Sequence, residues 1–523
     1  MPVTDCNRAA RHASRLAAAL IGLLAGAATA QSSSPATRID PIVEAAMTRY
    51  HLAGMAVGVI EHGEVVYVRT LGERVAGSGQ SITPDTLFKI ASNSKAMTST
   101  LLARLVQEGK LRWDDPVRKY LPDFRMADPW VSANMQVGDL LTHRSGLREG
   151  AGDLMLWPEP NTFTRRDILN ALAYLKPAYS FRAGYAYDNL LYVVAGEVAA
   201  AAGHDSYDAL LRHEVFEPLG LSRCQIGKWN RDAVGNVAQP HDRQGDRNVV
   251  IGADDAIVPD ITSAAAGGVR CSLTDMLIWA RNWLAPTPAQ LTWLSPTQRQ
   301  ALWTPYTPMP ISARRRSWDG TRLYAYGYGW RLADVDGTLT VSHTGTLSGM
   351  YSALTLLPDR QSGFVVLINS EAEDARTVLI ETLTKYFTAP DSPHTFDWYA
   401  NQLAHTTPES TSAKAKNEPT RPATAQELTS QLGRWRDPWF GTITLCPREG
   451  TVRFSATKSP RLTGIVMRSG HGYQVHWDHG DADAWLAFPA NAKGVLHMRK
   501  VDSAADFSYD FEDLAFQREQ GCD

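Results

Sequence analysis

Cysteine is scarce in this chain, five residues in 523, and no two stand in a Cys-x-x-Cys spacing, so a zinc ribbon or a dithiol redox centre has no sequence support. An excess of positive charge is missing too. Fifty-two Lys and Arg face 55 Asp and Glu, a net charge of −3, and no basic run of the kind that binds nucleic acid occurs. Beyond the N-terminus there is no apolar run of the ~20 residues that a spanning helix needs. His213-Glu214 is followed by Glu217 where a zinc helix would carry its second His, and a Gly-x-Ser-x-Gly elbow is absent. No repeat of solenoid or propeller length is present. What remains, 44% hydrophobic and 20% charged residues, is ordinary globular composition.

Arg8, Arg11 and Arg15 precede an apolar stretch at 16–27 and then Ala28-Thr29-Ala30, a small-x-small cleavage pattern. This reads as a signal peptide over residues 1–30 and predicts an exported protein, periplasmic or secreted. Cys6 would leave with it. In an oxidising compartment Cys224, Cys271, Cys446 and Cys522 can pair in three ways. Cys446 and Cys522 share the C-terminal region, which makes that pair the expected bridge.

Strand patterns at 55–60 and 65–68 are matched only by others at 338–342, 352–357 and 364–368, with a helical stretch between. A sheet completed by distant segments follows, over residues 31–392. Residues 405–422 are rich in Thr, Ser, Lys, Glu and Pro, and 393–424 read as a helical or disordered linker. From 425 to 523 short strand-like runs, among them 442–445, 451–455, 473–477 and 507–511, predict a small all-β barrel. The fold class is α+β: an antiparallel sheet flanked by helices, with a helical subdomain and the barrel.

Ser92 and Lys95 stand three apart at the start of a helical pattern carried by Met97, Leu101 and Leu105. On a helix this spacing brings hydroxyl and amine to one face, and an amine of lowered pKa can take the proton of the Ser. The helix N-terminus also favours negative charge developing on a substrate oxygen. Ser-x-x-Lys recurs at Ser455 and Lys458, in a predicted strand where the two would face apart. Tyr187-Asp188-Asn189 supplies a phenol that can move a proton if nearby cations depress its pKa, and an amide that can orient substrate. A second Tyr-x-Asn, at Tyr399 and Asn401, reads as helix surface. His343-Thr344-Gly345-Thr346 follows a strand, where Gly345 permits close approach.

The order Ser-x-x-Lys, Tyr-x-Asn, His-Thr-Gly resembles the serine β-lactamase and penicillin-binding-protein superfamily, closest to its class C-like branch, the S12 peptidases. Leu140 to Leu147, Ala266-Gly267-Gly268 with Thr274-Asp275-Met276, and Tyr326 to Trp330 are similar to further motifs of that branch. The resemblance spans about residues 38–390. It implies that Ser92 is acylated, that Lys95 activates it, and that Tyr187 shares the proton transfer. It also implies that Asn189 orients substrate and that the backbone N–H groups of Ser92 and Thr346 form the oxyanion hole, with no metal or organic cofactor. The C-terminal region looks like the lipocalin-like domain of some of these peptidases.

One departure stands out. Lactamases and D,D-peptidases usually carry Lys where this chain has His343, so a fixed charge for a substrate carboxylate is expected to be lacking. His343 is expected at the mouth of the site. The expected activity is hydrolysis of an amide or ester in a small molecule or short peptide, D-amino-acid peptides included. The alternatives are a β-lactamase or D,D-carboxypeptidase, a non-catalytic peptidoglycan or penicillin sensor, and a barrel that binds a lipophilic ligand. No nucleic acid and no membrane span are expected, and the oligomeric state is left open.

Overall fold

The structure, a computed structural model, describes residues 34–406, 419–480, 482–490 and 494–522. The proposed signal peptide lies outside the described residues. Among those described, no helix is long and apolar enough to cross a membrane.

The chain opens with helix Pro35–Arg49, capped by Ser34, which buries Ile39, Val43 and Ala46. Strands Gly54–Glu61 and Glu64–Gly72 follow as a hairpin. Its two-residue turn, His62-Gly63, has positive φ at both positions (50° and 80°), the geometry that matches strand twist. The hairpin pairs with the end of the main region: Met55 faces Ile368 and Ile60 faces Gly363. An eight-stranded antiparallel sheet results. Its order is Glu64–Gly72, Gly54–Glu61, Ser362–Ile368, Met350–Leu357, Thr338–Leu347, Arg331–Val335, Tyr324–Tyr326, Thr307–Pro308.

Helices cover both faces of this sheet, which is why Met350–Leu357 and Ser362–Ile368 are buried at every position rather than at alternate ones. Helices Pro35–Arg49, Glu373–Thr388 and Phe396–Thr406 pack on one face. Leu273–Leu284 and Ser94–Gln107 pack on the other. The sequence expectation for Tyr399 is corrected here. Helix Phe396–Thr406 inserts Tyr399 fully into the core and leaves Asn401 to accept from Arg49, so this Tyr-x-Asn is a packing element.

The C-terminal region closes into an eight-stranded barrel running from Gly433–Asp437 to Ala515–Gln520, with Thr463–Ser469 pairing both Thr451–Ala456 and Gly472–Trp477 to close the ring. Trp435, Phe454, Trp477 and Phe516 fill its interior, each at most 2% exposed. A packed interior removes the reading of a lipophilic-ligand cup. The expected strand at 507–511 does not form: that segment is turn and loop ahead of a short turn Phe511–Asp513. Disulfides join Cys446 to Cys522, the expected bridge, and Cys224 to Cys271.

Candidate active site

Ser92 sits in a 3₁₀ turn, Ala91–Asn93, that runs directly into helix Ser94–Gln107. The residue before it, Ala91, holds φ +49°, a conformation unfavourable for a side chain with Cβ. Its neighbours keep it there. Ser94 Oγ donates to Ala91 O (2.6 Å) and accepts from Val269 N (3.1 Å), and Ser352 Oγ donates to Ile90 O (2.7 Å). Strand Thr338–Leu347 lies against this turn at Gly345, where a Cβ would fall 2.1 Å from Ile90 O. Only glycine fits.

Lys95 is fully buried, and its Nζ makes three contacts: Ser92 Oγ at 3.1 Å, Asn189 Oδ1 at 2.7 Å and Ala266 O at 2.8 Å. Burial pushes its amine down from the ordinary lysine range to about 7, with Asp153 and Asp188 opposing and Arg331 assisting. As a neutral amine it has two N–H groups, which Asn189 and Ala266 accept, and one lone pair, which is left to Ser92. Asn189 is oriented in turn, because its Nδ2 donates to Asp153 Oδ2 at 2.8 Å.

Tyr187 lies beside this pair, with the Lys95 amine 4.8 Å from its ring centroid. Its phenol does not follow the sequence expectation of a depressed pKa. Burial raises it, and the charge of Arg331 and the hydrogen bond with Ser92 only partly offset this. Tyr187 therefore stays a phenol at neutral pH and is a proton donor first.

His343 is a second correction. It does not stand at the mouth: strand Thr338–Leu347 runs through the whole His-Thr-Gly run, and the ring is fully buried. Its Nε2 meets Tyr326 Oη at 2.8 Å and its Nδ1 meets Thr344 O at 2.7 Å. Burial, then the charges of Arg331 and Lys95, hold its pKa well below the usual value, so it remains neutral. Thr346 is exposed on the same strand, and Arg376 donates to its Oγ1 (2.6 Å) and to Gly345 O (2.8 Å).

Three groups here escaped sequence reasoning. Arg331 follows the quoted Tyr326 to Trp330 motif by one residue. It donates to Thr344 Oγ1 at 2.7 Å and lies 5.9 Å from the Tyr187 ring centroid, with the phenols of Tyr185, Tyr324 and Tyr326 also around it. His143, inside the Leu140 to Leu147 motif, lies against Tyr187 with ring centroids 4.2 Å apart and planes tilted by 37°, and accepts from Asp188 N (3.0 Å). Asp153 is a fully buried carboxyl in an otherwise apolar stretch, a pattern that could have been flagged from the sequence.

A hydroxyl paired with a buried amine at a helix start, beside an antiparallel sheet, is the arrangement of serine hydrolases of the β-lactamase and penicillin-binding type. The chain belongs to the Beta-lactamase family, whose profile matches residues 39–384. It is 25% identical over 409 residues to "Unguisins hydrolase ungD'" of Aspergillus campestris (75% of this chain, 74% of that one). It is 27% identical over 325 residues to penicillin-binding protein 4 of Amycolatopsis lactamdurans (60% and 80%). Over 368 residues it is 26% identical to a β-lactamase of Pseudomonas fluorescens (65% and 95%). Among solved structures, the octameric penicillin-binding protein homologue of Pyrococcus abyssi matches with TM-score 0.58 at 17% identity, covering 89% of this chain and 98% of that one. A class C β-lactamase of Rhodobacter sphaeroides matches with TM-score 0.52 at 22% identity, covering 68% and 100%.

Proposed function

We propose that this protein is an exported serine hydrolase that cleaves an amide or ester bond through an acyl-enzyme on Ser92. The carrying observation is the 3.1 Å contact between Ser92 Oγ and a buried Lys95 amine held near 7. In acylation the Oγ–H proton passes to Lys95 Nζ while Oγ bonds to the carbonyl carbon. The proton then reaches the departing amine or alkoxide by way of the Tyr187 phenol, and the carbon–leaving-group bond breaks. Water attacks the ester in the second half and releases Ser92 with a new carboxylic acid. Export is supported by the N-terminal pattern and by two disulfides.

A fluorophosphonate tests this reading. Peptide mass spectrometry is expected to place the adduct on Ser92, and Ser92→Ala should take no label. An adduct on Ser94 or Ser455 would overturn the assignment.

Arg331 favours a second reading within the same chemistry. The missing lysine of the third motif suggested that a substrate carboxylate would find no fixed charge. A guanidinium hydrogen-bonded to Thr344 and surrounded by tyrosines provides one. This supports substrates with a carboxylate near the scissile bond, as in a D,D-carboxypeptidase or β-lactamase. Arg331→Gln is expected to lower kcat/KM for nitrocefin, which carries a carboxylate, by roughly 10–100-fold, the worth of a charged hydrogen bond at ~1.5–3 kcal/mol. Neutral p-nitrophenyl acetate should change by less than about threefold. An equal loss on both substrates would assign Arg331 to support of Tyr187 instead.

A further inference from the structure

The barrel reaches into this site. Between strand Val495–Lys500 and the turn Phe511–Asp513, the chain crosses to the hydrolase region instead of continuing the barrel wall. Phe507 stands edge-on to Tyr187, ring centroids 5.8 Å apart and planes at 74°. The Phe507 carbonyl comes so near Gly150 that a Cβ there would lie 2.6 Å from it, and the Gly150 N–H donates to Tyr187 O at 2.9 Å. The next residue, Ser508, donates its hydroxyl to Asp153 Oδ2 at 2.8 Å. That same oxygen accepts from Asn189 Nδ2. Asp510 anchors the segment by pairing with Arg148 and accepting from Gly152 N (2.7 Å).

We infer that the barrel completes the active site: Ser508 is a positioning residue that orients Lys95 through Asp153 and Asn189, and Phe507 is the wall that limits the group bound against Tyr187. The inference rests on the reading of Ser92 and Lys95 given above.

The physical reason lies in the Asn189 amide, which can present either its oxygen or its NH₂ to Lys95. Oxygen toward the amine leaves the lone pair for Ser92, whereas NH₂ toward the amine competes for that lone pair. The choice is made at the far end, where Asp153 accepts from Nδ2. Asp153 has one oxygen, Oδ1, buried without a partner among the described residues, so Asn189 and Ser508 are its two side-chain hydrogen-bond donors. Removing the Ser508 hydroxyl frees the carboxyl to turn and, with it, the amide. Burial holds the Asp153 carboxyl well above the usual carboxylate range, and losing the Ser508 hydroxyl removes one of the hydrogen bonds that oppose this upward shift. Both effects lower the affinity of Lys95 for its proton. The other charged groups facing Lys95 are Asp188 and Arg331. Tyr187 and Tyr192 lie against it, and it acts on His143 and His343. Among the described residues none of these is hydrogen-bonded to Ser508, whose partners are Asp506 and Asp153.

The test follows the rate of Ser92 modification by a fluorophosphonate against pH, using the full chain. Ser508→Ala is expected to react roughly tenfold more slowly on the plateau, as misplaced catalytic groups do. Its acid limb should move to lower pH by about half a unit or more. Ser508→Thr, which keeps the hydroxyl, should restore both. Lys458→Ala removes a docking ion pair with Asp167 (2.6 Å) and the contact of its amine over the Phe163 ring. It should lower the melting temperature while leaving rate and limb as they are. Phe507→Ala should raise kcat/KM for p-nitrophenyl octanoate relative to acetate by roughly tenfold or more, the lower end of what one additional methylene in an apolar pocket is worth. A Ser508→Ala protein with wild-type rate and limb, altered only in melting temperature, would reduce Ser508 to a docking contact and overturn the positioning role. An unchanged acyl-chain preference in Phe507→Ala would overturn the wall. If the wild-type protein takes no label at Ser92, the reading of the nucleophile fails instead.

Discussion

Lys95→Met is expected to lower kcat by ~10²–10⁴, the range for loss of a general base, and to remove the acid limb of the pH profile. In the wild-type protein activity should rise with pH through about 7. The sign follows from the amine: burial lowers its pKa, and the neutral form is the base. Below 7 the ammonium has no lone pair to offer Ser92, so the rate falls about tenfold per pH unit. Above 7 the neutral amine predominates and the rate levels off. The measurement is kcat/KM from pH 5 to 9 on an ester that does not ionise in that range. A Lys95→Met protein that kept the wild-type limb would assign that ionisation to another group. Asp188, whose carboxyl burial raises to about 6, is the neighbour to examine next.

Tyr187→Phe is expected to cost ~10²–10⁴ as well, but unevenly across substrates. Because burial keeps Tyr187 a phenol at neutral pH, its contribution is to hand a proton onward rather than to withdraw one. An amide leaving group needs that proton; p-nitrophenolate, a stable anion, does not. The loss should therefore be large for p-nitrobenzyl amides of D-amino acids and small for p-nitrophenyl esters. In the double variant with Lys95→Met the losses should fall far short of adding, since both residues act on one proton path. Equal losses on ester and amide would instead mark Tyr187 as the residue that holds Lys95 in place.

These expectations started from residue spacing, and the limits of spacing are instructive at single positions. Ser92 and Lys95 were legible because three residues of helix fix two side chains on one face whatever surrounds them. Tyr187 and His343 were equally visible, and the lack of a fixed charge at His343 was expected, but the burial of His343 and the raised phenol of Tyr187 were not legible. Both pKa values are moved chiefly by burial, and burial is supplied by segments far away in the chain. Arg331 stood next to a quoted motif and went unread, because nothing local shows that its strand neighbours the one carrying Thr344. The alternation of Phe507, Tyr509 and Phe511 imitates a strand. These aromatics serve two different parts of the fold: Phe507 faces Tyr187, whereas Phe511 stacks on Trp477 of the barrel interior.

The sequence by itself determined the sheet made from the two ends of the hydrolase region, the helical middle, the separate barrel and the Ser92–Lys95 pair. Each of these rests on local periodicity, composition or an i, i+3 spacing, which short stretches of chain carry on their own. Only the tertiary structure decided how the Lys95 amine is tuned, that His343 is buried, that Arg331 lies beside Tyr187, and that Ser508 reaches Asp153 across 355 residues of chain. Desolvation and long-range hydrogen bonds are properties of what surrounds a group. In this protein those surroundings are assembled from the helical region, the sheet and the barrel together.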